Sequence, residues 1–177
     1  MTALTIDIPV LETARLILRA HRLEDFEERV RISAEPEVTR FFGGKPMPRE
    51  EVWRRHYGGL GHWAMLGFGM WAVEEKETGA LIGIIGFLDG KRDIVPSLDG
   101  MPEMGWILSG RVHGKGYATE AVRAAQAWGE GYFGKVRMCC IIAPENRASL
   151  RVAEKCGFHV VHNTTYKDEP IVVLVRD

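Results

Sequence analysis

The stretch from Glu103 to Trp128, EMGWILSGRVHGKGYATEAVRAAQAW, constrains this chain more than any other. Met104 to Leu108 reads as a short strand that breaks at Ser109-Gly110. Ala118, Ala121, Val122, Ala125 and Trp128 then recur at helical spacing. A strand, a glycine-bearing loop and a helix follow in that order. The first N–H groups of a helix have no partner inside it, and the positive end of the helix dipole stands behind them, so such an elbow suits a phosphate or pyrophosphate. Gly114 and Gly116 let the backbone turn sharply and approach that anion, and Arg111 and Lys115 add positive charge beside it. A Walker A loop fits less well, because no Lys with the required glycine spacing precedes Ser or Thr. A Rossmann fingerprint fails at Thr119, where its third glycine would stand. Arg-x-x-Gly-x-Gly by itself is equally an ordinary tight turn.

The rest of the chain supplies context. Its 177 residues predict one domain spanning 1–177, and 46% hydrophobic with 27% charged residues is the balance of a soluble globular protein. A net charge of −1 gives no general pull toward nucleic acid or an anionic membrane. Arg15, Arg19 and Arg22 alternate with acids and read as solvated faces. The three cysteines, Cys139, Cys140 and Cys156, have no metal-ligand spacing. Adjacent strand residues point to opposite faces, so Cys139 and Cys140 are poor disulfide partners; buried thiols in a reducing compartment are the expectation. MTALTIDIPVLE lacks the pattern of a secretory leader, and the apolar run Ala80 to Leu88 is too short to span a bilayer. A cytoplasmic protein is expected.

Along the chain, Arg15 to Ala20 reads as a first strand and Leu23 to Ala34 as an amphipathic helix ending at Glu35-Pro36. A second helix starts near Pro48 and carries Val52, Trp53, His56 and Tyr57. Gly58 to Gly69 holds five glycines, which argue against a stable helix and suit a mobile flap or a poorly ordered connector. Gly69 to Glu75 and Ala80 to Leu88 form a predicted antiparallel hairpin about Thr78-Gly79. Asp89 to Pro102 is a loop. The central helix is expected to fray from Gly129 to Gly134. Val136 to Ala143 is a strand parallel to the one before that helix, as a βαβ crossover requires. A short helix over Ala148 to Cys156 and strands at Phe158 to His162 and Ile171 to Val175 complete the chain.

Arg111-x-x-Gly114-x-Gly116, followed by Tyr117-Ala118-Thr119-Glu120, resembles motif A of the GNAT superfamily of acyl-CoA-dependent N-acetyltransferases. Asn146-Arg-Ala-Ser149, leading through a short helix to Lys155-Cys-Gly157-Phe158, resembles its motif B. LETARLILRA resembles the opening of the RimJ/RimL-type branch. The resemblance runs from Leu11 to Val175 and is weakest over Phe41 to Phe68. It implies an α/β (α+β) fold with a mixed, mostly antiparallel central sheet splayed between two parallel strands and flanked by helices. It also implies acetyl-CoA as cosubstrate, no metal, and direct transfer to an amine acceptor, either a protein or peptide N-terminus or a small amine.

Carried over residue by residue, the cofactor contacts are Arg111, Val112, His113, Gly114, Lys115, Gly116, Tyr117, Ala118 and Thr119 on the loop and first helical turn. Backbone groups of Trp106, Ile107 and Leu108 would meet the pantetheine arm, with Asn146 and Ser149 on the other side. Asn146 is either a ligand contact or a helix cap. Ser149 either serves the departing thiolate or caps the short helix. Glu103 is the base candidate, with a salt-bridged strand-edge carboxylate as its alternative. Glu120 is expected to be structural and His113 a phosphate contact or a solvated loop residue. Many members carry a tyrosine acid in the motif B helix where this chain has Ala153. That departure keeps open a CoA-binding sensor without turnover. The acceptor contacts are expected from Phe41 to Trp71, whose aromatic residues serve equally as core or as contacts of a homodimer.

Overall fold

The computed structural model describes residues 6–177, so Met1 to Thr5 of the stretch read for a leader lie outside it. Strands β1 (Leu11–Glu12), β2 (Leu16–Arg19), β3 (Met70–Glu75), β4 (Leu81–Leu88), β5 (Glu103–Leu108), β6 (Met138–Ile142), β7 (His159–Tyr166) and β8 (Glu169–Arg176) form one sheet in the order β1-β2-β3-β4-β5-β6-β8-β7. Every neighbouring pair is antiparallel except β5 with β6. That parallel pair has a single register contact, Glu103 opposite Cys139, beyond which the two strands part.

Helix α4 (Tyr117–Phe133) crosses from β5 to β6, and α5 (Arg147–Lys155) leads from β6 toward β7. Ala121, Val122 and Ala125 of α4 are fully buried in a core with Leu16, Leu18, Ile82, Ile85, Phe87 and Met104. A second apolar group joins α1 (Asp25–Ala34) and α2 (Pro36–Thr39) to the strands through Ile32, Val38, Ala72 and Leu81. The 89–102 loop buries Ile94 and Leu98 against Cys139, Ile171, Val173 and Val175.

The glycine-rich segment departs from expectation. Helix α3 runs unbroken from Arg49 to Leu66 and ends at Gly67, so Gly58 to Leu66 is neither flap nor connector. Glycine costs a helix about 1 kcal/mol relative to alanine at each interior position, but Trp63 offsets that cost. It is buried with ring centroids 4.8 Å from Trp71 and 5.6 Å from Trp128, and its Nε1–H donates to the Met70 carbonyl at 3.1 Å. Similar packing extends α4 past Gly129. Trp128 stacks on Tyr132 at 4.7 Å, and Phe133 meets Phe87 and Phe68, each at 5.1 Å.

The arginines near the start are not all solvated. Arg19 is 6% exposed and grips Asp25 with two bonds of 2.8 and 2.9 Å and Glu74 at 2.6 Å. The Asp25 bond, ahead of the opposing cost of burial, raises the pKa of its guanidinium. Beside it, α1 meets α3 through Arg29, His56 and His21. His56 Nδ1 faces the Arg29 guanidinium at 3.3 Å, and burial pushes His21 down to about 3.

Candidate active site

The parting of β5 from β6 leaves backbone polar groups without ladder partners, and the pairing pattern shows which. Ser109 N–H donates to the Ile82 carbonyl at 2.8 Å. In an antiparallel ladder the bonded residues alternate, so Ile107 turns its N–H and C=O toward β4, opposite Ile84. Trp106 and Leu108 turn theirs toward the gap. This corrects the expectation that Ile107 shares in lining the gap with its backbone; its side chain packs against the cluster of Ile32, Val38, Ala72 and Leu81. On β6 the Cys139 N–H donates to Pro102 at 3.0 Å, so Ile141 is the next residue to face the opening. Sequence reading missed Ile141, because strand pairing polarity is not encoded in residue type.

Both parallel strands run toward the open end of this gap, so α4 and α5 begin there. Between Leu108 and α4 the chain makes a 3-10 turn, Gly110–Val112, pinned by buried Val112, and then exposes His113 to Gly116. Gly114 and Gly116 have φ of +75° and +81°, the left-handed region that side chains disfavour. No side chain caps α4. The first N–H to find a helical acceptor is that of Glu120, on Gly116 at 3.1 Å. Among the described residues, the N–H groups from Gly114 through Thr119 therefore have no protein partner. A run of free donors at a helix start suits an anion, so the residues present fit the pyrophosphate of CoA.

Side chains anchor this elbow rather than fill it. Arg111 does not face the anion position: its guanidinium donates to Glu28 at 3.1 Å and to the Leu81 carbonyl at 2.7 Å. His113 Nε2 lies 3.0 Å from the Leu108 carbonyl. Tyr117 donates its hydroxyl to Glu75 at 2.7 Å, which holds the Tyr117 pKa above and the Glu75 pKa below their ordinary values. Lys115 is exposed, and the Thr119 carbonyl lies 3.9 Å from the Cys156 thiol. Glu120 turns away from the loop, accepting from Thr13 Oγ1 at 2.6 Å, Arg15 N at 2.9 Å and Arg15 Nε at 2.7 Å. Burial alone would raise its pKa, but these donors hold the carboxyl below the usual range. Arg15 also bonds the Lys115 carbonyl at 2.8 Å and covers the Tyr117 ring at 4.2 Å. Arg15 is exposed, as expected, and is also bonded to the elbow.

Across the gap, Asn146 caps α5: its Oδ1 accepts from Ser149 N–H at 3.1 Å. The Ser149 hydroxyl is thus not the cap, and among the described residues it has no protein partner. Among the described residues the Asn146 amide N–H groups have no protein acceptor. Glu103 lies at the closed end of the gap, 5% exposed, with both oxygens 2.6 Å from Arg92 donors. In place of a free base the structure shows the salt-bridged alternative. Ala153 is fully buried. Burial pushes the Cys139 thiol up to about 12 and raises those of Cys140 and Cys156, so none supplies a thiolate nucleophile at neutral pH. No helix among the described residues is long and apolar enough to cross a membrane.

Comparison with known proteins agrees with this geometry. The model of the acetyltransferase (GNAT) domain matches residues 15–159. The uncharacterized protein YkkB of Bacillus subtilis is 33% identical over 147 residues, covering 80% of each chain. The uncharacterized N-acetyltransferase YoaA of the same organism is 28% identical over 151 residues, covering 85% of this chain and 82% of its own. The crystal structure of an acetyltransferase from Agrobacterium tumefaciens superposes with a TM-score of 0.82 at 29% identity, covering 100% of this chain and 99% of that one. The splayed parallel pair, the uncapped elbow and these likenesses converge: the chain belongs to the GNAT family and is an acetyl-CoA-dependent acetyltransferase.

Proposed function

We propose that the protein transfers the acetyl group to a primary amine, either a protein or peptide N-terminus or a small amine, directly within a ternary complex in the cytoplasm. The observation that carries this reading is the gap, where the backbone of Trp106 and the Leu108 N–H lie without ladder partners between two helix N-termini, the Leu108 carbonyl being met by His113. Acetyl-CoA supplies an activated thioester carbonyl. The N–H groups from Gly114 through Thr119 hold its pyrophosphate, and the backbone of Trp106 with the N–H of Leu108 bonds the amides of the pantetheine arm. The free amide N–H of Asn146 bonds the arm from the opposite side. Ser149 presents its hydroxyl to the sulfur, where it hydrogen-bonds the departing thiolate or relays a proton through water.

Most of the acceleration comes from holding amine and thioester together. Acid–base assistance adds a smaller factor. The protonated cysteines favour direct transfer over a covalent enzyme intermediate. Glu103 is assigned to holding Arg92 at the closed end, so the amine loses its proton to water. The opening LETARLILRA and the motif B serine favour the RimJ/RimL branch.

Calorimetry with acetyl-CoA, using ATP and NADH as controls, tests the cofactor site; a peptide and amine panel scored by free-thiol release tests the transfer. Binding of acetyl-CoA alone with thiol release is the expected result. Absence of acetyl-CoA binding by folded protein would overturn the reading. The buried Ala153 in place of an acid favours one second reading, a CoA-binding sensor, for which binding without turnover across the panel is the signature.

A further inference from the structure

Glu35 performs no step in the chemistry above, yet it joins two parts of the molecule. Its backbone N–H closes α1 on the Ile32 carbonyl at 3.2 Å, and its carbonyl opens α2 by accepting from Val38 and Thr39 at 3.0 and 2.9 Å. Its carboxylate reaches the elbow from that corner. Oε1 accepts from the Ser109 hydroxyl at 2.7 Å and Oε2 from the Gly110 N–H at 2.6 Å. Ser109 is fully buried. Two neighbouring contacts run the same way. Arg111 is tied to Glu28 of α1 at 3.1 Å, and Gly110 lies close under the exposed side chain of Glu37 of α2, which a Cβ there would meet at 3.0 Å. A carboxylate beside an anion-binding loop opposes the anion electrostatically, so attraction of the ligand does not explain it. Charge-assisted bonds to a loop donor and its neighbouring hydroxyl do fix the backbone.

We propose that Glu35 is a positioning residue that makes the cofactor elbow and the α1–α2 corner one unit, so that CoA binding at the elbow orders the corner that leads into the acceptor side. This inference rests on the cofactor reading given above. By linkage, whatever orders the corner tightens the elbow by the same factor.

The experiment is CoA titration with hydrogen exchange on wild type, Glu35→Ala, Glu35→Gln and Ser109→Ala. In wild type, CoA is expected to slow exchange over 114–119 and also over 28–39. Glu35→Ala loses both bonds, so CoA should bind about tenfold or more weakly, and protection at 28–39 should vanish while that at 114–119 persists. Gln offers an acceptor to Gly110 and a donor to the Ser109 oxygen, so Glu35→Gln should bind close to wild type. Should Glu35→Ala fail to fold, Ser109→Ala removes one bond from the loop side and should show the same uncoupling with a smaller loss of affinity. Wild-type affinity in folded Glu35→Ala, or in Ser109→Ala where it stands in, overturns the proposal. So does CoA binding that leaves exchange at 28–39 unchanged. A wild type that binds no CoA overturns the cofactor reading as well, which distinguishes the two failures.

Discussion

The two helices that begin at the mouth of the gap start in opposite ways. Helix α4 has a left-handed glycine where a capping side chain would stand, and it leaves its first donors free. Helix α5 spends its donors at once: Arg147 N–H on the Glu145 carbonyl at 2.8 Å and Ser149 N–H on Asn146 at 3.1 Å. An unsatisfied helix start is unstable alone and persists where other elements hold it. Around α4, Thr13 and Arg15 hold Glu120, and Glu28 and Glu35 hold the preceding turn. One start is a backbone receptor braced from outside. The other is self-capped and presents side chains, the Asn146 amide and the Ser149 hydroxyl.

That contrast makes substitutions at the two starts differ in kind. The largest effect is expected from Gly114→Trp, which forces an L side chain into φ +75° and occludes the free donors. Acetyl-CoA affinity should fall by about a hundredfold or more, the worth of two bonds to a charged group, while the backbone strain lowers the thermal midpoint by only a few degrees; calorimetry beside a melting curve checks both. Ser149→Ala should instead leave affinity intact, since its N–H and not its hydroxyl is capped. Turnover should fall by about tenfold to a hundredfold, within the range of acid–base assistance. Equal losses of binding in the two variants would erase the distinction.

Asn146 probes the cap itself. Asn146→Ala should cost about 1 kcal/mol of stability, the usual worth of an N-cap, and weaken CoA binding as well. Asn146→Asp keeps the accepting oxygen, so stability should recover while affinity does not, because Asp has lost the amide donor. Chemical denaturation beside calorimetry separates the two. Recovery of both would leave Asn146 as a cap and nothing more.

How much of this was readable beforehand follows from distance along the chain. The elbow and motif B were legible because their logic is local: glycine spacing, a helix start and a parallel crossover. The direction of the Arg111 side chain was not, since it depends on Glu28, 83 residues away. The tie from exposed Arg15 to the elbow was not legible because its partner Glu120 lies 105 residues on. Glu103 was equally a base or an ion pair until Arg92 was seen to engage both oxygens. The α3 helix was missed because local glycine propensity weighed against it, whereas Trp63 decides it through contacts with Trp71 and Trp128. The resemblance added the order of the two motifs, and the ladder then separated Ile107 from its neighbours Trp106 and Leu108.

The smallest effect is the one that tests the bracing directly. Glu120 carries a carboxyl whose pKa is lower when folded than its ordinary 4.5, whereas the Asn146 cap does not titrate. A depressed carboxyl stabilises the folded form above its unfolded pKa, and that contribution is lost as pH falls through the folded value. Acidification below 4.5 should therefore loosen the start of α4 before the start of α5. A background must be separated out. His21 stays neutral in the folded state down to about 3, so the unfolded chain binds its proton first and stability declines as pH falls from 6.5. Glu120→Gln removes the first effect and leaves the second. Hydrogen exchange at 117–120 and 147–150 between pH 6 and pH 3.5, read in both proteins, should show a smaller acid-sensitive loosening at α4 in Glu120→Gln than in wild type, after scaling for intrinsic exchange; what remains comes from Glu75, whose carboxyl is also held low by the Tyr117 hydroxyl. An undiminished acid response in Glu120→Gln would mean that the clamp from β1–β2 is incidental.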